Sequence, residues 1–308
     1  MNRILVIRGG AIGDFVLTLP AIKLLRDRFP DAHLEILGFK HIAALAEQRF
    51  HADAVRSIES ATLARFFAKD AELPDELARY FAGFDLILSY LFDPDGVFEA
   101  NVKKGAAGMF IAGPSRLNEK EHAALQLARP LASLGLSLSS PAAQLFPTES
   151  DRDAIKSLLD DSGDTIAFHP GSGSESKNWP IENWIKLGDV LLAEGFRLLI
   201  VAGEADATRT QQLKDVWNGK RVRFAENLPL PHLAALLEHR AFVGHDSGIS
   251  HIAAAVGARC LLLFGRTDPS IWAPGGEHVT VLQAPEGRIE LLEPTRVIYE
   301  LMRIGIRT

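Results

Sequence analysis

The nine residues Val243-Gly244-His245-Asp246-Ser247-Gly248-Ile249-Ser250-His251 pass from an apolar run through a small polar turn into a second apolar run, Ile252 to Val256. Read in order, that is strand, turn and helix. Such a turn aims the free N–H groups and the positive dipole end of the new helix past the sheet edge, where their natural ligand is an anion such as phosphate. Asp246 and Ser247 are N-cap types and Gly248 allows close approach to the backbone, so the same residues also suit plain helix capping. A second stretch, His169-Pro170-Gly171-Ser172-Gly173-Ser174-Glu175-Ser176-Lys177-Asn178-Trp179-Pro180, leaves a strand through a loop dense in glycine and serine. Small residues let a loop wrap a ligand, and Lys177 sets a point charge in it, as phosphate sites commonly require; a solvated surface lysine is the alternative. A third stretch, Arg8-Gly9-Gly10-Ala11-Ile12-Gly13-Asp14, places a carboxylate at the start of a helix behind the first strand, at the sheet edge where α/β proteins bind ligands. Asp14 there is either a partner of the helix dipole or a general base; the dipole favours the anion, so basicity asks for a closed site.

Several other chemistries are excluded at motif level. A dinucleotide fingerprint needs Gly-x-Gly-x-x-Gly and an acidic residue about twenty positions on, but Arg8 stands where the first glycine belongs and the second strand ends in Gly38-Phe39-Lys40. No Gly-Lys-Ser/Thr is present, which removes a P-loop. The single cysteine, Cys260, lies in the apolar run to Phe264, so neither an internal disulfide nor a cysteine-rich zinc site can form. A net charge of −6 argues against general nucleic-acid affinity. No apolar run reaches the roughly 18 residues that span a bilayer, and the amino terminus enters a strand rather than a signal peptide, so a cytoplasmic protein is expected.

Around these turns, short apolar runs alternate with helical patterns. Strands are expected at Arg3 to Ile7, Leu34 to Leu37, Ala54 to Ile58, Leu86 to Ser89 and Met109 to Ala112, with helices at His41 to Gln48 and Leu73 to Phe81. A helix carrying Phe15, Leu17, Leu19, Ile22, Leu24 and Leu25 contains Pro20, which predicts a kink or a short first helical turn. A stretch rich in Ser, Pro and Thr, from about Gly135 to Asp151, reads as a linker. Beyond it come helix Asp151 to Leu159, strand Thr165 to Phe168, helix Ile181 to Glu194, strand Leu198 to Val201, helix Ala207 to Val216 and strand Val222 to Phe224. Helix Leu230 to His239, strand Phe242-Val243, helix Ser250 to Val256, strand Cys260 to Leu263 and a terminal helix Pro294 to Arg303 complete the pattern. At 308 residues with 47% hydrophobic and 23% charged residues, this predicts two soluble α/β domains, each with a parallel sheet covered on both faces.

Five segments taken in order resemble glycosyltransferase family 9, the ADP-heptose:lipopolysaccharide heptosyltransferases. They are Arg8 to Pro20, His169-Pro-Gly-Ser-Gly with Lys177-Asn-Trp-Pro180, Gly203-Glu204 after a strand, Asp246-Ser-Gly-Ile-Ser-His251, and Phe264-Gly-Arg-Thr-Asp-Pro269. The resemblance covers nearly the whole length and implies a GT-B architecture, two Rossmann-like lobes with a cleft between them. The acceptor-binding lobe is expected at 1–147 and the donor-binding lobe at 148–308, the last helix being a candidate to pack back on the first lobe. Carried over residue by residue, it makes Asp14 the base that takes the acceptor proton. Ser172 and Lys177 become diphosphate contacts, Glu204 the residue near the donor ribose, and Asp246, Ser247, Gly248 and His251 the turn around diphosphate and sugar. One departure is Arg266, where the family usually has proline, which opens the choice of donor.

The expected activity is therefore inverting transfer of a sugar, heptose from ADP-heptose, to a lipopolysaccharide-core or other cell-envelope acceptor. Lys177 and the helix start could carry the leaving diphosphate, and no paired-carboxylate motif is evident, so neither metal nor cofactor is expected. The partners expected are the nucleotide-sugar and a glycolipid or oligosaccharide acceptor, with peripheral contact at the cytoplasmic face of the inner membrane and no nucleic acid. Lys40, Arg56, Lys103, Lys104, Arg116 and Lys120 are basic residues that could meet an anionic acceptor. Two competing readings are a non-catalytic nucleotide-sugar binding protein, which Asp14 in its family context opposes, and another GT-B enzyme, an epimerase or a UDP-sugar transferase.

Overall fold

The computed structural model describes every residue except 62, 70, 71, 106, 107, 119, 159–163, 307 and 308. The chain divides into two compact units, Met1–Pro141 and Ala142–Thr308, the division falling inside the Ser- and Pro-rich stretch. In the first unit, β1 (Arg3–Arg8), β2 (His33–Gly38), β3 (Ala54–Ser57), β4 (Leu86–Ser89) and β5 (Met109–Ala112) form a sheet in the order β3-β2-β1-β4-β5. Every pairing in it is parallel. The central strand β1 is apolar from Ile4 to Ile7 and buried throughout, as a strand covered on both faces must be. Phe66, Phe81, Phe84 and Phe98 pack against one face.

In the second unit, β6 (Thr165–His169), β7 (Arg197–Ala202), β8 (Val222–Glu226), β9 (Ala241–His245), β10 (Arg259–Phe264) and β11 (Val279–Gln283) form a sheet in the order β11-β10-β9-β6-β7-β8. It too is parallel throughout. Trp179, Trp184 and Trp217 are fully or almost fully buried in its core. Val297 and Leu301 of the Pro294–Arg303 helix lie in the same core, so the apolar face of that helix is committed to its own unit. The α/β class and the two Rossmann-like sheets expected from the sequence are both present.

Some local expectations are corrected. Pro20 does not interrupt its helix, which runs unbroken from Ile12 to Arg28. Every residue from Phe15 to Ile22 is buried, and tertiary packing of that kind outweighs the cost of one lost helical hydrogen bond. The helix expected over His41 to Gln48 covers only Lys40–Ala43, and Gln48 and Phe50 adopt positive φ, which ends helical continuation. The helix expected over Asp151 to Leu159 is Glu149–Ala154 followed by a short 3₁₀ turn, while residue 159 lies outside the described residues. A helix at Val97–Lys103, one at Ala123–Ala128 and strand β11 were not anticipated.

Candidate functional site

In the second unit, β6 and β9 are neighbours at the point where the strand order of the sheet reverses, the position at which open α/β sheets bind ligands beyond their carboxyl ends. His169 ends β6 beside Gly244 of β9, and His245 ends β9. The fully buried His245 accepts the Trp179 N–H at Nε2, 2.8 Å away, and its Nδ1 lies 3.2 Å from Gly171 O. Those partners assign the proton to Nδ1, which donates to the carbonyl. Burial pushes the His245 pKa down to about 3, so the ring is neutral. His169 Nδ1 is 3.2 Å from Ser247 Oγ, and its Nε2 is 3.5 Å from Asp206 Oδ2. Burial works to raise the Asp206 pKa, but hydrogen bonds from His169 and the Gly203 N–H outweigh it and hold the carboxyl below its ordinary value. Asp206, His169 and Ser247 thus form a polar chain that ends at the N-cap of the Gly248–Ala255 helix.

Ser247 caps that helix by accepting from the Ser250 N–H. Earlier N–H groups of its first turn have no helical carbonyl to pair with, which leaves them for an anion. Lys177 Nζ lies 2.5 Å from Asp246 Oδ2, with side chains 39% and 10% exposed respectively. The ammonium therefore stands beside the helix start, held by a carboxylate 69 residues away in sequence. Its loop is fixed from both ends. Trp179 is fully buried and donates its indole N–H to Leu292 O at 2.8 Å, and Arg209 pairs with Glu175. Gly171 has no room for a side chain: a Cβ there would meet Asp206 Oδ1 at 1.6 Å.

The structure therefore brings Lys177, Asp246, Ser247, Gly248 and His251 to one sheet edge. His251 is buried in the first turn of the helix. Ser172 is buried nearby, its Oγ 2.8 Å from both Ser174 O and Asn178 Oδ1, so its hydroxyl pins the loop. Glu204 is exposed in a 3₁₀ turn just past β7, the neighbour of β6. Arg266 is exposed beyond β10. His169, Asp206 and His245 had no role assigned from the sequence; the signal available was a histidine at the carboxyl end of two separate strands. No group of three or more His, Cys, Asp or Glu side chains among the described residues is placed to hold a metal ion.

In the first unit, Asp14 sits in the first turn of the Ile12–Arg28 helix, behind β1 and at the corresponding reversal of strand order between β1 and β4. Its Oδ2 accepts the Ala11 N–H at 3.0 Å, and its Oδ1 lies 3.7 Å from the Arg8 guanidinium. Asp14 is 39% exposed on its side chain while Arg8 is 9% exposed. Gly10 serves the turn twice, through its φ of +96° and because a Cβ there would meet Asp14 Oδ2 at 2.9 Å. Arg8 stands over the buried Tyr90 ring at 5.6 Å, and its Nε has no hydrogen-bond partner among the described residues. The sequence marked Arg8 only as a misfit to a glycine fingerprint. A cavity of about 130 Å³ opens at the carboxyl ends of β4 and β5, lined by Ser89, Phe92, Asp93 and Ser115 among others. Of the basic residues considered for an acceptor, Arg56 pairs with Glu76 and Lys103 with Glu99, while Arg116 stacks on the exposed Phe92.

Residues 116–296 match the model of glycosyltransferase family 9 (heptosyltransferase), more than half of the chain. Lipopolysaccharide heptosyltransferase 1 of Escherichia coli (strain K12) is 23% identical over 328 residues, covering 97% of this chain and 99% of that protein. The glycosyltransferase family 9 structure from Veillonella parvula superposes with a TM-score of 0.82 at 19% identity, covering 100% of this chain and 98% of the other. The E. coli heptosyltransferase WaaC with ADP gives 0.74 at 20% identity, covering 98% and 100%. These structures share the fold. A more distant one, the iron-containing dodecameric glycosyltransferase TibC from enterotoxigenic E. coli, gives 0.57 at 13% identity, with 99% of this chain and 76% of that one covered.

Proposed function

The chain belongs to glycosyltransferase family 9 (heptosyltransferase), and we propose that it transfers heptose from ADP-heptose to a lipopolysaccharide-core or related cell-envelope acceptor, with inversion and without a metal ion. The observation that carries this reading is the Lys177 ammonium held by Asp246 at the start of the Gly248–Ala255 helix. An ammonium beside the first N–H groups of a helix forms a preorganised receptor for two phosphates, and it favours the charge that grows on a leaving diphosphate. A structural relative solved with ADP supports adenosine as the nucleoside.

In the reaction, Asp14 takes the proton of an acceptor hydroxyl as its oxygen bonds the anomeric carbon on the face opposite the diphosphate. The bond from that carbon to the diphosphate oxygen breaks, and ADP leaves with the electron pair, its charge met by Lys177 and the helix N–H groups. The Ala11 N–H and Arg8 fix the direction of the Asp14 carboxylate. In this reading Ser172 shapes the phosphate loop, Glu204 meets the ribose, and Ser247, Gly248 and His251 line the sugar-diphosphate side. The 130 Å³ cavity beside β4 supplies an acceptor subsite in the unit that carries Asp14. No helix among the described residues is long and apolar enough to cross a membrane; we place the reaction in the cytoplasm, at the inner face of the membrane that holds the acceptor.

The test follows ADP release from ADP-heptose with a heptose-deficient lipopolysaccharide acceptor, in the presence and absence of excess EDTA. Equal rates are expected. Loss of turnover on chelation, restored by magnesium, manganese or iron, would overturn the metal-free step, and release from a UDP-sugar alone would reassign the donor.

A further inference from the structure

A second cavity, of about 750 Å³, lies at the opposite, amino-terminal edge of the second sheet, away from the helix start that receives the diphosphate. Its basic side chains come from residues at the starts of adjacent strands. Arg240 precedes β9, Arg259 opens β10 and His278 precedes β11; the Arg259 N–H donates to Arg240 O at 2.8 Å and the Cys260 N–H to His278 O at 2.9 Å, which sets the three side by side. His239 adds a fourth basic group, and Phe196 and Ile166 provide an apolar wall. Asp164 is the one carboxylate lining it among the described residues.

The two arginines are anchored but not neutralised. Arg240 donates from Nε to Leu236 O at 2.6 Å, and Arg259 donates from Nη1 to Gly305 O at 3.0 Å. Both acceptors are backbone carbonyls, and neither arginine has an ion pair among the described residues. Burial lowers the Arg240 pKa with no opposing carboxylate. A partly buried guanidinium is normally matched by an anion, and arginine forks recognise the oxygens of phosphate in pairs. The volume falls in the range of pockets that take small organic ligands.

We propose that this cavity is a second anion site, specific for a phosphate-bearing small molecule whose charged group bridges Arg240 and Arg259. It lies at the other end of the same strands that carry His169 and His245, so an occupant would be bound together with the nucleotide rather than in its place.

The test is a calorimetric titration of inorganic pyrophosphate into the full chain saturated with ADP, repeated with Lys177→Ala, Arg259→Gln and Arg240→Gln. The expected result is saturable binding that survives both ADP and Lys177→Ala, and that weakens about tenfold or more in each arginine variant. Arg259 is exposed, so its variant reports even where Arg240→Gln fails to fold. Binding abolished by ADP or Lys177→Ala and untouched by Arg259→Gln would place pyrophosphate in the diphosphate turn only and overturn the proposal. No saturable binding to the ADP-loaded chain would also overturn it. A chain that takes pyrophosphate at the arginines but does not bind ADP would instead count against the proposed donor.

Discussion

At Asp14 the carboxylate already has two partners, the Ala11 N–H and Arg8, and still keeps 39% of its side-chain surface exposed. On the proposed reading, the buried guanidinium behind it holds the carboxylate toward one hydroxyl. Asp14→Asn keeps the shape and removes proton acceptance, so turnover should fall by about 10² to 10⁴ while ADP affinity is unchanged. Parental transfer rates in that variant would return Asp14 to the role of a cap. Lys177 and Asp246 invite a different experiment, because a carboxylate cannot itself attract a diphosphate and is better read as the group that aims the ammonium. If so, the effects of Lys177→Ala and Asp246→Asn on ADP affinity are non-additive, with a coupling of about 0.5–3 kcal/mol by double-mutant cycle; simple additivity would separate the two residues. His245 acts on stability. Its folded pKa is depressed to about 3, so between that value and the ordinary histidine value the unfolded chain binds a proton that the folded chain refuses. Stability is then lost as pH falls, by about 2 kcal/mol from His245 between pH 7.5 and pH 5. Denaturant unfolding at the two pH values should show a smaller loss in His245→Gln, and an unchanged loss would mean that His245 is not the group responsible.

Among the elements, the loop between β6 and the Ile181–Ala193 helix carries the tightest constraint. Gly171 lies against Asp206, whose hydrogen bond to His169 leads on to Ser247, so Gly171→Ala should displace the whole polar chain. An overpacking cost of about 1–3 kcal/mol is expected, with weaker ADP binding, and unfolding curves beside calorimetry measure both. Unaltered stability would mean that the carboxylate yields more readily than its two hydrogen bonds suggest. The strands that bear these turns were legible because each is a short apolar run ended by Gly, His or Asp, and β4 and β5 have the limits expected of them. What was hidden had physical causes. The Val97–Lys103 helix is only seven residues long and starts behind Gly96 in a left-handed conformation, too short for its period to show. Pro20 misled because burial on every side, which a helical period does not reveal, holds the helix through it. The Lys177–Asp246 pair joins two separate strand ends, and Arg8 looked like a defect in a motif it was never part of.

For the molecule as a whole, two parallel sheets of the same winding carry the residues of the proposed reaction, the first a carboxylate behind its leading strand and the second an ammonium and a helix start at its reversal of strand order. The central claim is that Lys177 and the turn from Asp246 to His251 receive the diphosphate of an adenosine donor. The most direct test is a titration of ADP into the parent chain and into Lys177→Ala, with UDP and GDP as comparisons. The account predicts that ADP binds the parent more tightly than UDP or GDP and loses about tenfold to a hundredfold in affinity when the ammonium is removed. Equal ADP affinity in the two proteins, or no ADP binding in the parent, would contradict it.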